Sequence, residues 1–391
     1  SMFGMKDLVF LINHQKNVRY IWIGIINRMR SSFLNNLPGI FLSCFVALIG
    51  IYFSDYLGTK MMGFDKSPIS SIMLAIIIGL LVGNIFNISE KFKVGIDFSI
   101  KKILRFGIIC LGIRLGLGDI VNLGLIALPL IIICLASALL IVIYLSKKIN
   151  VSSKMAALIA VGTSICGASA IVATAPAINA DKEEVTYAIA NITLFGVLAM
   201  FFYPFLANYI FQGNEYAVGL FLGTAIHETA QVAGAGLIYA EQFNAPEVLD
   251  IAAVTKLVRN TSMLIIIPLI AFMYHKNLKT AENINNISIF SMFPFFILGF
   301  IAMGIIRTTG DITLQSSGSS FGVLGVNEWV TTISFIKQIA EISLAIAMAS
   351  LGLSTNLKSL ASLGVRPFYL GFIAATSVGI VSFLTIKLII F

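Results

Sequence analysis

Apolar residues dominate this chain in runs of about 20, separated by short polar gaps. Each such run is long enough to span roughly 30 Å of hydrocarbon as a helix. Eleven runs are recognisable, at about 37–55, 67–87, 98–117, 121–146, 153–177, 184–211, 217–240, 249–274, 287–306, 330–354 and 367–390. The pattern predicts an all-α polytopic membrane protein of about 11 transmembrane helices. Residues 37–391 form one transmembrane domain. Residues 1–36 mix basic and apolar positions, as in "HQKNVRYIWIGIINRMRSSF", and predict an amphipathic helix lying on the cytoplasmic leaflet. No cleavable leader is expected there.

Composition agrees. Of 391 residues, 58% are hydrophobic and only 11% charged, where a soluble protein carries about 25% charged. The net charge of +8 is carried largely by the gaps, so it predicts orientation and not nucleic-acid binding. Lys6, Lys16, Arg19, Arg28 and Arg30, then Lys91, Lys93, Lys101 and Lys102, then Lys147, Lys148 and Lys154, then Lys276 and Lys279 alternate with gaps holding Asp119, Asp181–Glu184, and Glu241, Glu247 and Asp250. This alternation predicts an N-terminus inside, in the cytoplasm, and a C-terminus outside. Re-entrant hairpins at 153–177 and 217–240 give the same downstream bias, and the acidic 181–184 gap favours full crossings. Cys44, Cys110, Cys134 and Cys166 form no CxxC pair, which speaks against disulfides and structural zinc.

Two runs depart from a simple apolar helix. "GTSICGASAIVATA" begins at Gly162 and "GTAIHETAQVAGAG" at Gly223. Both open on Gly-Thr and continue through small residues that weaken helix. A second echo links "CLGIRLGLGDI" (110–120) with "ASLGLSTNLKS" (349–359). Repeats with helices broken at matching places mark secondary transporters, whose substrate sites lie at the bilayer midplane. Broken helix frees backbone groups, which are tolerated only against protein or a water-filled cavity. The half-helix N–H groups favour an anion. The competing reading is close helix packing through small residues.

Candidate chemistry follows. Thr163, Ser164, Cys166, Gly167, Ser169, Thr229 and Gln231 sit at the breaks, as anion-binding candidates. His227 and Glu228 are ionisable groups inside a membrane segment, hence functional candidates for proton coupling; a structural hydrogen bond between segments is the alternative. Lys256 and Arg259 in "TKLVRN" lie three apart on one helix face and suit an anionic substrate. Salt bridges to Glu228 or Glu341 are the alternative for them. Arg114, near glycines, is a better site candidate than Arg105. Lys337 and Glu341 suit an i,i+4 pair. Asn191, Asn260 and Asn356 are candidates for a sodium site. "TLQSSGSSFG" (313–322) looks like an exposed linker. "HETAQ" lacks the second histidine of a zinc-protease motif, "GTSICG" is not a nucleophile elbow, and no P-loop is present. No enzyme activity, metal or cofactor is expected.

The motifs "GTSICGASAIVATAPAI", "GLFLGTAIHETAQVAGAG", "AAVTKLVRN" and "LRFGIICLGIRLGL" resemble those of the YeiH-type membrane proteins, a family described as sulfate exporters. The resemblance covers the second to eleventh segments in order. It implies the inverted-repeat fold of the bile-acid/arsenite/riboflavin transporter superfamily, with crossed, broken helices in a core domain. The family pattern has Asp-Thr after the histidine; here it is Glu228-Thr229, one methylene longer. The expected function is secondary transport of a small anion, sulfate or an organosulfonate, by alternating access and coupled to protons. A sodium-coupled organic-anion importer is the alternative, and a channel or sensor the alternative of another class. Expected partners are the anion, H+ or Na+, and the lipid bilayer; nucleic acid is not expected, and a homodimer is left open.

Overall fold

The computed structural model of the chain describes residues 34–62, 67, 69–278, 293–356 and 365–391. The predicted amphipathic segment 1–36 therefore falls almost wholly outside the described residues. The described part is helical, with a single isolated bridge, Ser320 to Leu324, as its only extended pairing. Seven of its helices are long and apolar enough to cross a membrane. In chain order these are α1 (Leu34–Met61), α4 (Leu117–Ile149), α7 (Lys182–Ile210), the run Glu247–Ile270 that joins α10 (Glu247–Thr261) to α11 (Met263–Leu278), α12 (Phe296–Ser317), α13 (Val326–Ser354) and α14 (Val365–Ile390). Between them lie α2 (Ser71–Ile85) and α3, which joins Glu90–Phe98 to Leu104–Leu111 through a π turn at Ser99–Ile103.

The two glycine-rich segments are each split in two. The first is α5 (Ser153–Ser164) followed by α6 (Ala168–Thr174). The second is α8 (Glu215–Ala225) followed by α9 (Thr229–Phe243). Each break falls at the motif, at residues 165–167 and 226–228. The expectation that these segments cross the membrane fully is not met: both turn back as hairpins.

In the first, Ser152 Oγ donates to Glu184 Oε1 at 2.7 Å and Lys154 lies 3.9 Å from Asp181. The start and end of the segment therefore share one side, and the acidic 181–184 gap sits beside Lys154, not opposite it. A Cβ on Gly162 would lie 2.8 Å from the Ile171 side chain; nine residues of straight helix would separate them by about 13 Å. In the second hairpin, Gly219 and Gly223 face Ile251 and Thr255, so α8 runs parallel to α10 (Glu247–Thr261). Gly236 faces Leu249 and Thr229 meets Asn260, so α9 runs antiparallel to it. α5 and α8, at 12 and 11 residues, reach about 17 Å, roughly halfway through the hydrocarbon.

The long helix α7 starts at the base of the first hairpin and ends at the base of the second, so the two enter from opposite sides and meet at their tips. Side-chain caps set their entrances. Ser152 Oγ accepts from Met155 N at 3.2 Å, and Asn214 Oδ1 from Ala217 N at 3.0 Å. The other echo marks two helix ends: α3 stops at Leu111 and α13 at Ser354. α3 and α13 are antiparallel, because Ile96 and Ile100 pack with Ala349 and Leu353 while Gly107 meets Ala340. The ends thus lie on opposite sides.

The 313–322 stretch is not simply an exposed linker. α12 extends through Ser317, and Ser320 is buried with its Oγ donating to Gly310 O at 2.8 Å.

Candidate functional site

The hairpin tips carry the helix ends that the bilayer makes costly. The last carbonyls of a helix have no partner within it, and no water reaches them in hydrocarbon. Here α10 supplies the partners. Lys256 Nζ donates to Ile165 O and Ile226 O, each at 2.9 Å, and to His227 O. Arg259 Nε donates to Ser164 O at 2.7 Å, Nη1 to Thr224 O and, at 3.1 Å, to Ile226 O, and Nη2 to Thr163 O. Both side chains are buried. One turn of α10 therefore clamps the C-terminal ends of α5 and α8 together, and its positive charges oppose the negative ends of both helix dipoles. Neither cation reaches the cavity described below, so the direct anion-binding role expected for them gives way to a backbone role. The alternative salt bridges to Glu228 or Glu341 are not formed either.

Beyond each break the chain starts a new helix, and these N-terminal ends bound a cavity of 840 Å³. Cys166, Ala168 and Ser169 come from the first tip, Glu228, Thr229 and Ala230 from the second, and Asn260 from α10. α3 forms another wall with Lys101, Leu104 and Arg105, and Phe293–Phe296 completes the lining. The π turn lies in this stretch of α3; such turns recur at functional sites. Arg105 lies 5.6 Å from the centre of the Phe296 ring. Val172, Ala173 and Pro176, on the returning arm of the first hairpin, line the cavity as well.

Glu228 joins the tips. It begins α9 in an extended conformation, and its N–H donates to Gln231 Oε1 at 3.2 Å. Its own Oε1 accepts from Ala168 N of the other hairpin at 3.2 Å. Gly167 makes this contact sterically accessible: its φ is +72°, and a Cβ there would run into the Glu228 side chain. Gly167→Ala is expected to destabilise by roughly 1–3 kcal/mol through backbone strain alone, with a further loss from the clash. Adding Glu228→Ala is expected to recover only the second part, measured by thermal unfolding of the single and double variants.

The other sequence candidates divide. The Thr163 and Ser164 carbonyls are clamped, while their side chains are buried and Ser164 Oγ turns back to Ala160 O. Cys166 Sγ lies 3.3 Å from Met263 Sδ at the cavity wall. Thr229 Oγ1 accepts from Asn260 Nδ2 at 3.1 Å, and Gln231 Nε2 reaches Thr193 O at 3.3 Å. His227 is buried behind the tips, with neither ring nitrogen hydrogen-bonded, and does not line the cavity. The three asparagines are not gathered: Asn191 donates to Pro367 O on α14, Asn260 lines the cavity, and Asn356 follows the end of α13.

Arg114 is on the other side of the molecule. Its Nε lies 2.8 Å from the Asp250 carboxylate, Nη1 3.4 Å from Glu341, and Nη2 donates to Pro246 O at 3.3 Å. Glu341 is thus paired with Arg114; no Lys337–Glu341 ion pair forms among the described residues. Arg105, set second to Arg114 in the sequence, is the one that lines the cavity. Loss of one member of a nearly buried pair leaves the other uncompensated, so Arg114→Ala is expected to cost roughly 3–5 kcal/mol. The Arg114→Ala/Asp250→Ala double variant should cost well under the sum of the singles, read by a double-mutant cycle.

The fold and site define a polytopic α-helical membrane protein whose core is two opposed re-entrant hairpins clamped by Lys256 and Arg259 of one helix. The chain belongs to the family described as conserved hypothetical protein 698, which it matches over residues 38–371. The resemblance to the YeiH-type proteins fits this family. A UPF0324 membrane protein of Fusobacterium nucleatum is 37% identical over 81% of this chain and 88% of its own. One of Streptococcus agalactiae is 32% identical over 89% and 96%, and one of Clostridium tetani 28% over 88% and 95%. No solved structure matches the chain.

Proposed function

We propose that this protein is a secondary transporter of a small organic anion, binding it between the hairpin tips. The observation that carries this reading is the meeting of two broken segments from opposite sides, with the start of α9 facing a cavity. A static membrane scaffold has no use for interrupted backbone at that depth; a carrier uses it to bind and release an ion. Lys256, Arg259 and Glu228 sum to +1 at the tips, which an anion in the cavity neutralises. Arg105 adds positive charge in the cavity wall, while Lys101 is paired with Asp97 at 2.7 Å.

The walls favour an organosulfonate or similar organic anion over bare sulfate. Leu104, Val172, Pro176, Met263 and Phe296 are apolar, and the volume lies in the range of organic-ligand pockets, about 300–1,000 Å³. Glu228 is the proton carrier in this reading, because it faces the cavity and His227 does not. Lys147, Lys148 and Lys154 lie at the end of α4 and the start of α5, beside the base of the first hairpin. By the positive-inside rule that side is the cytoplasm of a bacterial inner membrane, with the C-terminus outside.

Uptake of labelled methanesulfonate and sulfate into proteoliposomes, with and without an imposed pH gradient, tests this. Concentrative uptake of the sulfonate driven by the gradient is expected. Flux that only equilibrates would favour a channel.

A further inference from the structure

Lys256 occupies a position that, in chemical terms, belongs to a metal cation. Three backbone carbonyl oxygens converge on its Nζ, one from the first tip and two from the second. All three donors of the ammonium are thereby used. The accepting oxygens are neutral, with no carboxylate among them, a set suited to a single positive charge; divalent sites draw on carboxylates. The ammonium is fully buried and fixed to α10 by its own side chain.

We infer that Lys256 is a tethered substitute for a monovalent cation, filling a carbonyl cage formed jointly by the two broken helices. A tethered cation cannot leave and return during a transport cycle. The cage is therefore permanently occupied, and sodium has no coupling role at the tips. This inference takes its meaning for coupling from the transporter reading, but the cage itself does not depend on it. It also fits with Asn191, Asn260 and Asn356 lying apart: the charge that an ion site would supply is already built into the chain.

The test is thermal unfolding of the detergent-purified protein in sodium, lithium, potassium or choline chloride at equal ionic strength. The wild type is expected to melt at one temperature in all four. Lys256→Ala, which empties the cage, is expected to melt lower in choline and to recover with a saturable dependence on a metal cation. Lys256→Met fills the same space without charge, and should melt low in every salt. Sodium-specific stabilisation of the wild type would overturn the inference. So would a Lys256→Ala protein indifferent to all cations, or one that fails to fold with sodium present throughout while Lys256→Met folds. Should neither variant fold, the wild-type comparison decides alone. Because the readout is stability and not flux, a failure to find any transported anion leaves this result intact, and the two readings fail separately.

Discussion

Arg259→Ala is expected to yield little or no folded protein. The guanidinium makes four hydrogen bonds to carbonyls of both hairpins. Bonds to a charged donor contribute about 1.5–3 kcal/mol each. Even with strong non-additivity, their loss is comparable to the whole stability of a typical domain, about 5–15 kcal/mol. The orphaned carbonyls would also face an apolar interior with no substitute partner. Arg259→Lys should fall between, because an ammonium keeps the charge but lacks the planar fork that spans the two tips. Size-exclusion profiles of detergent extracts read this directly. A symmetrical Arg259→Ala peak with wild-type melting temperature would show that the clamp does not hold the tips.

The second large effect is on flux and not on folding. Glu228→Gln retains an oxygen to accept from Ala168 N and a backbone N–H to donate to Gln231, so the junction of the tips should survive. What it loses is the ability to take up and release a proton beside the substrate. Net uptake driven by a pH gradient should fall to the level of empty vesicles, while exchange of labelled for unlabelled anion continues. Equal loss of both fluxes would assign Glu228 to substrate binding alone. Unchanged net uptake would remove it from coupling.

The sequence was most informative where local chemistry dictates the outcome. Glycines with Thr, Ser and His inside an apolar run marked the two stretches, from Gly162 and from Gly223, within which the helices break, because such positions are poor helix and costly in lipid. Lys256 and Arg259 were legible as functional for the same reason. Their role was not. A buried cation attracts any nearby oxygen, and only the folded chain shows that carbonyls of Thr163, Ser164, Ile165, Thr224, Ile226 and His227 arrive first.

The hairpin topology was hidden by a symmetry of the charge rule. Two turned-back segments restore the downstream alternation, and the acidic residues Asp181, Glu183 and Glu184 suggested the wrong side. They sit among lysines because Glu184 binds Ser152 at the α5 entrance and Asp181 lies near Lys154. Arg114 and Arg105 show a similar limit. Both lie on α3 or the turn that follows it, and proximity to glycine favoured Arg114. What separates them is Asp250, distant in sequence, which captures Arg114 on the face opposite the cavity.

The central claim is an anion site between the tips. The most direct measurement is the melting temperature of the wild type and of Thr229→Val against a panel of sulfate, methanesulfonate, benzenesulfonate and chloride at fixed ionic strength. Thr229 lines the cavity at the first position of α9, and its substitution leaves the Lys256 and Arg259 clamp untouched. The account predicts that a sulfonate raises the wild-type melting temperature in a saturable way, beyond chloride, and that Thr229→Val weakens the response. If no anion stabilises the wild type beyond chloride, or if Thr229→Val responds as the wild type does, the cavity between the tips is not the anion site.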